Sequence, residues 1–189
     1  MGRTGLAVLA ALVAGCAGKS ESGSGQESAA PASPLVASLA SAEVMTEASG
    51  PEPVRLANGE YTAPVAPGSA EQIIVRVLDK AAEGDLNGDG TPEIAALIGW
   101  SGGGTGVFVD LVIFARDGGT PRQVASTLIG DRIRLIGVSV EGGAVTVELD
   151  QHGETDPMCC PTQRALRTFR LEGDSLVMVS ATPPPYLAP

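Results

Sequence analysis

Asp85, Asn87, Asp89 and Glu93 place four oxygen-bearing side chains on one short stretch, separated by Leu86, Gly88 and Gly90. A hard cation such as Ca²⁺ takes about six to eight oxygens, and donors alternating with small residues let one segment wind around it. The Thr91 carbonyl would add a backbone oxygen. Three of the four side chains are carboxylates, whose mutual repulsion a cation would relieve. The expected metal set is therefore Asp85, Asn87, Asp89, Thr91 and Glu93, with Ca²⁺ as the ion. The competing reading is a turn that binds nothing, since Gly, Asn and Asp favour tight turns without metal. A second cluster runs from His152 through Glu154, Asp156 and Cys159 to Cys160. Its donor types suit a transition metal or a Cys–His nucleophile pair. Adjacent cysteines, however, lack the spaced arrangement of a zinc chelate, and no third orienting residue is evident. A vicinal disulfide between Cys159 and Cys160, a disulfide to another chain, or free thiols are the remaining readings.

The calcium reading gains from two resemblances. Gly90 stands where an EF-hand loop makes its sharp turn, but the twelfth position falls on Ala96, which has no carboxylate, and no helical pattern flanks the loop. The run from Gly84 to Glu93, followed directly by Ile94-Ala95-Ala96-Leu97-Ile98, is more similar to the calcium loops of FG-GAP repeats. In those loops the ninth position is acidic and a strand follows. FG-GAP propellers carry several such loops. This chain has one, with Glu93 where aspartate is usual.

The amino terminus reads as an address. Arg3 precedes the apolar run Leu6 to Ala14, which as a helix would rise only about 14 Å, too short to span a bilayer. That is the form of a signal-peptide core. Val13-Ala14-Gly15-Cys16 then resembles a bacterial lipobox. The resemblance implies cleavage before Cys16, lipidation of its thiol and membrane attachment through the lipid. Ala17 in place of aspartate resembles the outer-membrane sorting signal of enteric bacteria. Residues 17–34 contain no aliphatic side chain larger than alanine and read as a disordered tether reaching about 20–25 Å.

Positioning these groups requires a folded domain, expected over residues 35–180 and followed by a Pro-rich tail at 181–189. Among 189 residues, 25 Gly and 14 Pro against six aromatics disfavour a helical bundle and suit short strands joined by turns. Val145, Val147 and Leu149 alternate with polar residues, as do Ile136, Val138 and Val140, which predicts a hairpin about Glu141-Gly142-Gly143. Val107 to Phe114 reads as a central strand covered on both faces. Ile73 to Leu78 and Ile94 to Ile98 are further strands, and Ala165 to Leu171 with Leu176 to Val179 a closing hairpin. Val44 to Glu47 and Pro53 to Leu56 are weaker strands, with Asn58-Gly59 as a turn. Pro161 could alternatively open a short helix. The expected fold is mainly β, a single antiparallel β domain with one or two short helices. Leu56 to Tyr61, the Gly84 to Glu93 loop, Ser101 to Gly106, Gly130-Asp131-Arg132 and Asp156 to Thr162 together resemble a group of uncharacterised secreted bacterial lipoproteins, which carries no activity to transfer.

Net charge bounds the partners. At −10 for the chain, and −11 once Arg3 is removed, a nucleic-acid backbone or anionic lipid surface is excluded as the expected partner. Ser101-Gly102-Gly103-Gly104-Thr105-Gly106 lacks the Lys-Ser/Thr of a phosphate loop and reads as a hairpin loop. Trp100 beside it reads as a core or rim residue. Arg164, Arg167 and Arg170 recur every third residue and read as solvated charges. The expected function is therefore binding or envelope interaction by a lipid-anchored, extracytoplasmic domain with a structural calcium loop, its ligand or envelope partner unspecified. The alternative is a redox or hydrolytic enzyme using Cys159-Cys160 with His152.

Overall fold

A computed structural model describes residues 1–2, 33–116 and 118–183. Cys16, with most of the expected signal peptide (1–15) and tether (16–34), lies outside the described residues, as does most of the Pro-rich tail. After one short helix, α1 (Pro34–Ser38), come eleven strands: β1 (Glu43–Val44), β2 (Val54–Arg55), β3 (Glu60–Pro64), β4 (Gln72–Gly84), β5 (Glu93–Gly102), β6 (Phe108–Ala115), β7 (Arg122–Asp131), β8 (Arg134–Glu141), β9 (Ala144–Gln151), β10 (Gln163–Glu172) and β11 (Ser175–Thr182). They form a seven-stranded sheet in the order β2-β1-β7-β6-β5-β4-β3 and a four-stranded sheet in the order β11-β10-β9-β8. Pairing is antiparallel apart from one parallel contact, Glu43 opposite Arg122. The mainly β expectation holds, with α1 as the helical element. Pro161 opens no helix, because the chain enters β10 at Gln163.

Strand alternation explains the layers. Along β5 and β6, Ala95, Leu97, Val109, Leu111 and Ile113 face one way and meet Val145, Val147, Leu149 and Phe169 of the smaller sheet. Ile94, Ile98, Trp100, Val112 and Phe114 face the other way and are covered by Leu39, Val44 and Leu56 of the N-terminal segment. The larger sheet is thus buried on both faces, which is why β5 and β6 are near-continuous apolar runs. Each large side chain fully buried here, Phe114 and Leu97 among them, contributes about 1.5–3 kcal/mol through desolvation. Trp100 and Phe108 stack with ring centroids 4.4 Å apart on the second face.

The register also aligns charges. Arg134 of β8 and Arg164 of β10 both lie directly opposite Asp150 of β9. Arg164 Nε donates to Asp150 Oδ1 at 2.7 Å, Arg134 Nη2 donates to Oδ2, and Arg164 Nη1 reaches Glu148 at 2.6 Å. Opposite charges facing each other across a ladder stabilise the pairing. The Arg164 guanidinium, reinforced by Arg134, holds the Asp150 carboxyl below its ordinary value despite the opposing effect of burial. A carboxylate depressed in the folded state contributes stability that is complete above its unfolded pKa, about 3.9, and is lost as pH falls through the lower folded value. Asp150→Asn should therefore remove part of the acid limb: urea midpoints measured from about pH 6 to about pH 2 fall less steeply than in the wild type below pH 4. An identical acid limb in both proteins would count against this ladder as an acid-sensitive brace.

Candidate functional site

The loop between β4 and β5 carries the residues expected to bind metal. Gly88 and Gly90 have φ of +83° and +87°, the left-handed region that lets the chain coil tightly. Asp85 accepts from Gly88 N at 2.7 Å and Gly90 N at 3.0 Å, Asn87 Oδ1 from Asp89 N at 2.8 Å, and Asp89 Oδ1 from Thr91 N at 2.7 Å. The Thr91 N–H, then the Asn87 amide, hold the Asp89 carboxyl below its ordinary value. Glu93 is buried at the first position of β5. Its Oε2 accepts from Leu86 N at 2.9 Å and its Oε1 from Asn87 Nδ2 at 2.9 Å, while the same Nδ2 donates to Asp89 Oδ2 at 3.0 Å. The amide nitrogen thus does between two carboxylates what a cation would do. Asp85, Asn87, Asp89 and Glu93 form one hydrogen-bonded loop to which Thr91 contributes its N–H. Among the described residues no group of three or more His, Cys, Asp or Glu is arranged as a metal site. The donor chemistry nevertheless suits a hard cation, since an oxygen accepting one hydrogen bond keeps a second lone pair.

The other end of the sandwich is different. Gly102 of β5, Phe108 of β6, Asp131 of β7, Arg134 of β8, Gln151 of β9 and Gln163 of β10 all lie there, while Glu93, Ala144 and the turn after Glu172 lie at the end that carries the Asp85–Glu93 loop. The ten residues of β5 separate the two ends by roughly 30 Å. Here the segment from Gln151 to Thr162 joins β9 to β10. Asp156 is its hub: Oδ2 accepts from Gly153 N at 2.9 Å and Thr162 N at 2.8 Å, and Oδ1 accepts from Thr162 Oγ1 at 2.9 Å. Those two N–H groups hold its carboxyl below the ordinary value. Asp156 is therefore a loop organiser. Cys159 and Cys160 are bonded to each other, their Cα atoms 3.8 Å apart. In that form neither sulfur is a thiolate nucleophile.

Two clefts flank the segment. One, of about 520 Å³, is lined by Arg76, Trp100, Arg132, Leu135 and Cys159. Arg132 (φ +48°) pairs with Asp131 at 2.9 Å and donates through Nε and Nη2 to Thr105 at 3.1 Å, so it staples the Gly-rich loop to the β7–β8 turn. The other, of about 680 Å³, is lined by Leu128, Ile133, His152, Met158, Arg167 and Met178 among others. Its size falls within the range of small-molecule sites. His152 lines the second cleft and Cys159 the first, so the nucleophile pair considered from sequence does not share a cleft. Both ring nitrogens of His152 are buried without a hydrogen-bond partner.

Arg167 corrects the sequence reading of the three arginines. On strand β10 it lies between Ala165 and Phe169 on the inner face and is only 7 % exposed, whereas Arg164 and Arg170 point outward. Its guanidinium reaches across the sandwich to the Ile129 carbonyl through Nη1 and donates to Gln151 Oε1 at 2.8 Å through Nη2. Ile129 is the extra residue of a β-bulge, since Leu128 pairs with Asp110 and Gly130 with Val109. The bulge leaves this residue outside the ladder and its carbonyl available to the arginine.

One further acid is buried. Asp110 lies on the opposite face of the larger sheet, where burial raises its pKa; Trp100 Nε1–H partly counters this but falls short of a well-formed hydrogen bond. Against known protein families, curated proteins and solved structures, the chain has no match.

Proposed function

We propose that this protein is a lipid-anchored, extracytoplasmic binding domain. Cys16 carries the lipid, the Asp85–Glu93 loop takes Ca²⁺ as a structural ion, and the ligand occupies the cleft lined by Arg167, Met158 and Met178. The observation that carries the binding reading is the pairing of a buried guanidinium with an apolar, open wall in a single cleft of about 680 Å³. Sites for small ligands combine mostly apolar walls with a few placed polar groups. The division of labour follows from geometry: the acidic loop braces one end of the sandwich, and the cleft opens at the other. A disulfide-linked Cys159-Cys160 supports a structural role for the segment that carries Met158, one of the residues lining the cleft.

Amide spectra of the full-length protein in detergent, screened with small apolar fragments, test this reading. Shifts should concentrate at Gly130, Gln151, His152 and Gly153 and spare Glu141 to Ala144 at the far end. Fragment shifts confined to the far end, or none at all, would overturn it.

A further inference from the structure

We infer that the cleft takes a small amphiphile with one carboxylate, which pairs with Arg167 while its apolar body rests on Leu128, Met158 and Met178. The inference rests on the binding reading above and specifies the ligand class. Arg167 is a buried cation whose two hydrogen-bond acceptors, the Ile129 carbonyl and the Gln151 amide oxygen, are both neutral. No carboxylate among the described residues forms an ion pair with it, and burial alone depresses its pKa. Its Nε–H has no acceptor. A buried guanidinium without counter-charge is costly, and an apolar residue of similar volume would pack there at lower cost. An incoming anion supplies the missing charge and accepts N–H groups that the fold leaves unused.

The neighbouring acids decide which anion. Asp131 accepts from Val107 N and pairs with Arg132, and Asp156 is committed to Gly153 and Thr162, so neither neutralises Arg167. Asp156, whose donors are neutral, and exposed Glu154 make the cleft's wall negative, in a chain whose net charge is already −10. A dianion such as phosphate is repelled more strongly than a monoanion. A planar carboxylate fits the fork of a guanidinium. Leu128, Met158 and Met178 are 53 %, 60 % and 46 % exposed, an apolar lining that a headgroup alone would leave uncovered.

Calorimetry and amide spectra of the full-length protein in detergent, with octanoate, octanamide and inorganic phosphate as probes, test the assignment. Octanoate should bind with shifts at Gly130, Gln151 and Gly153, and octanamide more weakly by about tenfold to hundredfold, the worth of one charge-assisted hydrogen-bonded contact. Phosphate should bind less tightly than octanoate. Arg167→Met should reduce octanoate affinity to that of octanamide and leave octanamide binding unchanged. Should Arg167→Met fail to fold, Met178→Glu serves: this exposed position shares the inner face with Phe169, and its carboxylate should abolish octanoate binding at an unchanged melting temperature. Equal binding of octanoate and octanamide, or octanoate binding indifferent to both variants, overturns the carboxylate while leaving the cleft as a binding site. Preference for phosphate overturns the ligand class. Absence of shifts with every probe overturns both the carboxylate and the cleft.

Discussion

Cys16→Ser is expected to move the protein from the membrane pellet to the supernatant. The apolar run Leu6 to Ala14 is nine residues in a sequence that elsewhere offers no stretch of about 18 apolar residues, and among the described residues no helix is long and apolar enough to cross a bilayer. Attachment would then depend on the acyl chains of a single residue. Two or more chains hold a protein stably where one is marginal, so removing the acceptor thiol removes the whole anchor at once. The effect should be close to complete, unlike the graded loss expected when a surface contact is trimmed. Fractionation of cells fed radiolabelled palmitate reads both parts of the expectation. Wild type should be labelled and sediment with membranes, while Cys16→Ser should be unlabelled and soluble. An unlabelled wild type would end the lipobox reading, whatever its distribution.

What the sequence revealed about the domain followed the regularity of its alternation. β9 shows Val145, Val147 and Leu149 inward with polar residues between them, and its pairing with β8 about Gly142-Gly143 is as expected. β6 is legible for the opposite reason, its two buried faces giving an apolar run broken only by Asp110. β7 is not legible in the sequence because its pairing with β6 slips twice, at Phe114/Gln123 and at Val109/Gly130. Each slip reverses which residues face inward, so Arg122 to Asp131 shows no sustained period of two. β4 is legible only to Leu78, since its irregular pairing between Val77 and Ala81 breaks the pattern before the strand resumes to Gly84. β3 is a short segment held by its pairing with β4, whereas α1 opens on a Ser33 cap before Pro34, a local signal in the sequence.

The same parity rule would have exposed Arg167. Once Ala165, Phe169 and Leu171 are assigned to the inner face of β10, residue 167 must join them, and an arginine there cannot be a solvated charge. Reading the arginines as a repeat of three hid a strand repeat of two. No pattern, by contrast, could place Gln151 and the Ile129 carbonyl beside that guanidinium, because they come from β9 and from a bulge on the opposite sheet. The cleft is a product of topology. The Asp85–Glu93 loop is the reverse case, since the hydrogen bonds of its acidic and amide side chains run within nine residues and its form is local.

Calcium added to stripped protein should raise the melting temperature by about 5–10 °C. An affinity in the range of extracellular modules, about 10⁻⁴–10⁻³ M, suffices. Metal at about 100 times Kd then adds about 2.7 kcal/mol, and for a domain of this size each kcal/mol is worth about 2–4 °C. The loop's own bonds indicate where the gain arises. Asn87 Nδ2 bridges Asp89 and Glu93, while Asp85 holds the amides of Gly88 and Gly90. A cation replaces one neutral bridge among three carboxylates with a full positive charge. Asp85→Ala or Asp89→Ala should abolish the calcium response. Glu93→Ala should in addition lower the metal-free melting temperature, because the Leu86 N–H loses its buried acceptor, a penalty of about 1–3 kcal/mol. The calcium response, not that second effect, separates a metal site from a bare turn: Glu93 is needed in either case, but only a metal site makes Asp85→Ala and Asp89→Ala lose a response to calcium. Superimposable melting curves of the stripped wild type with calcium and with EDTA would leave the loop as a turn held by its own amides.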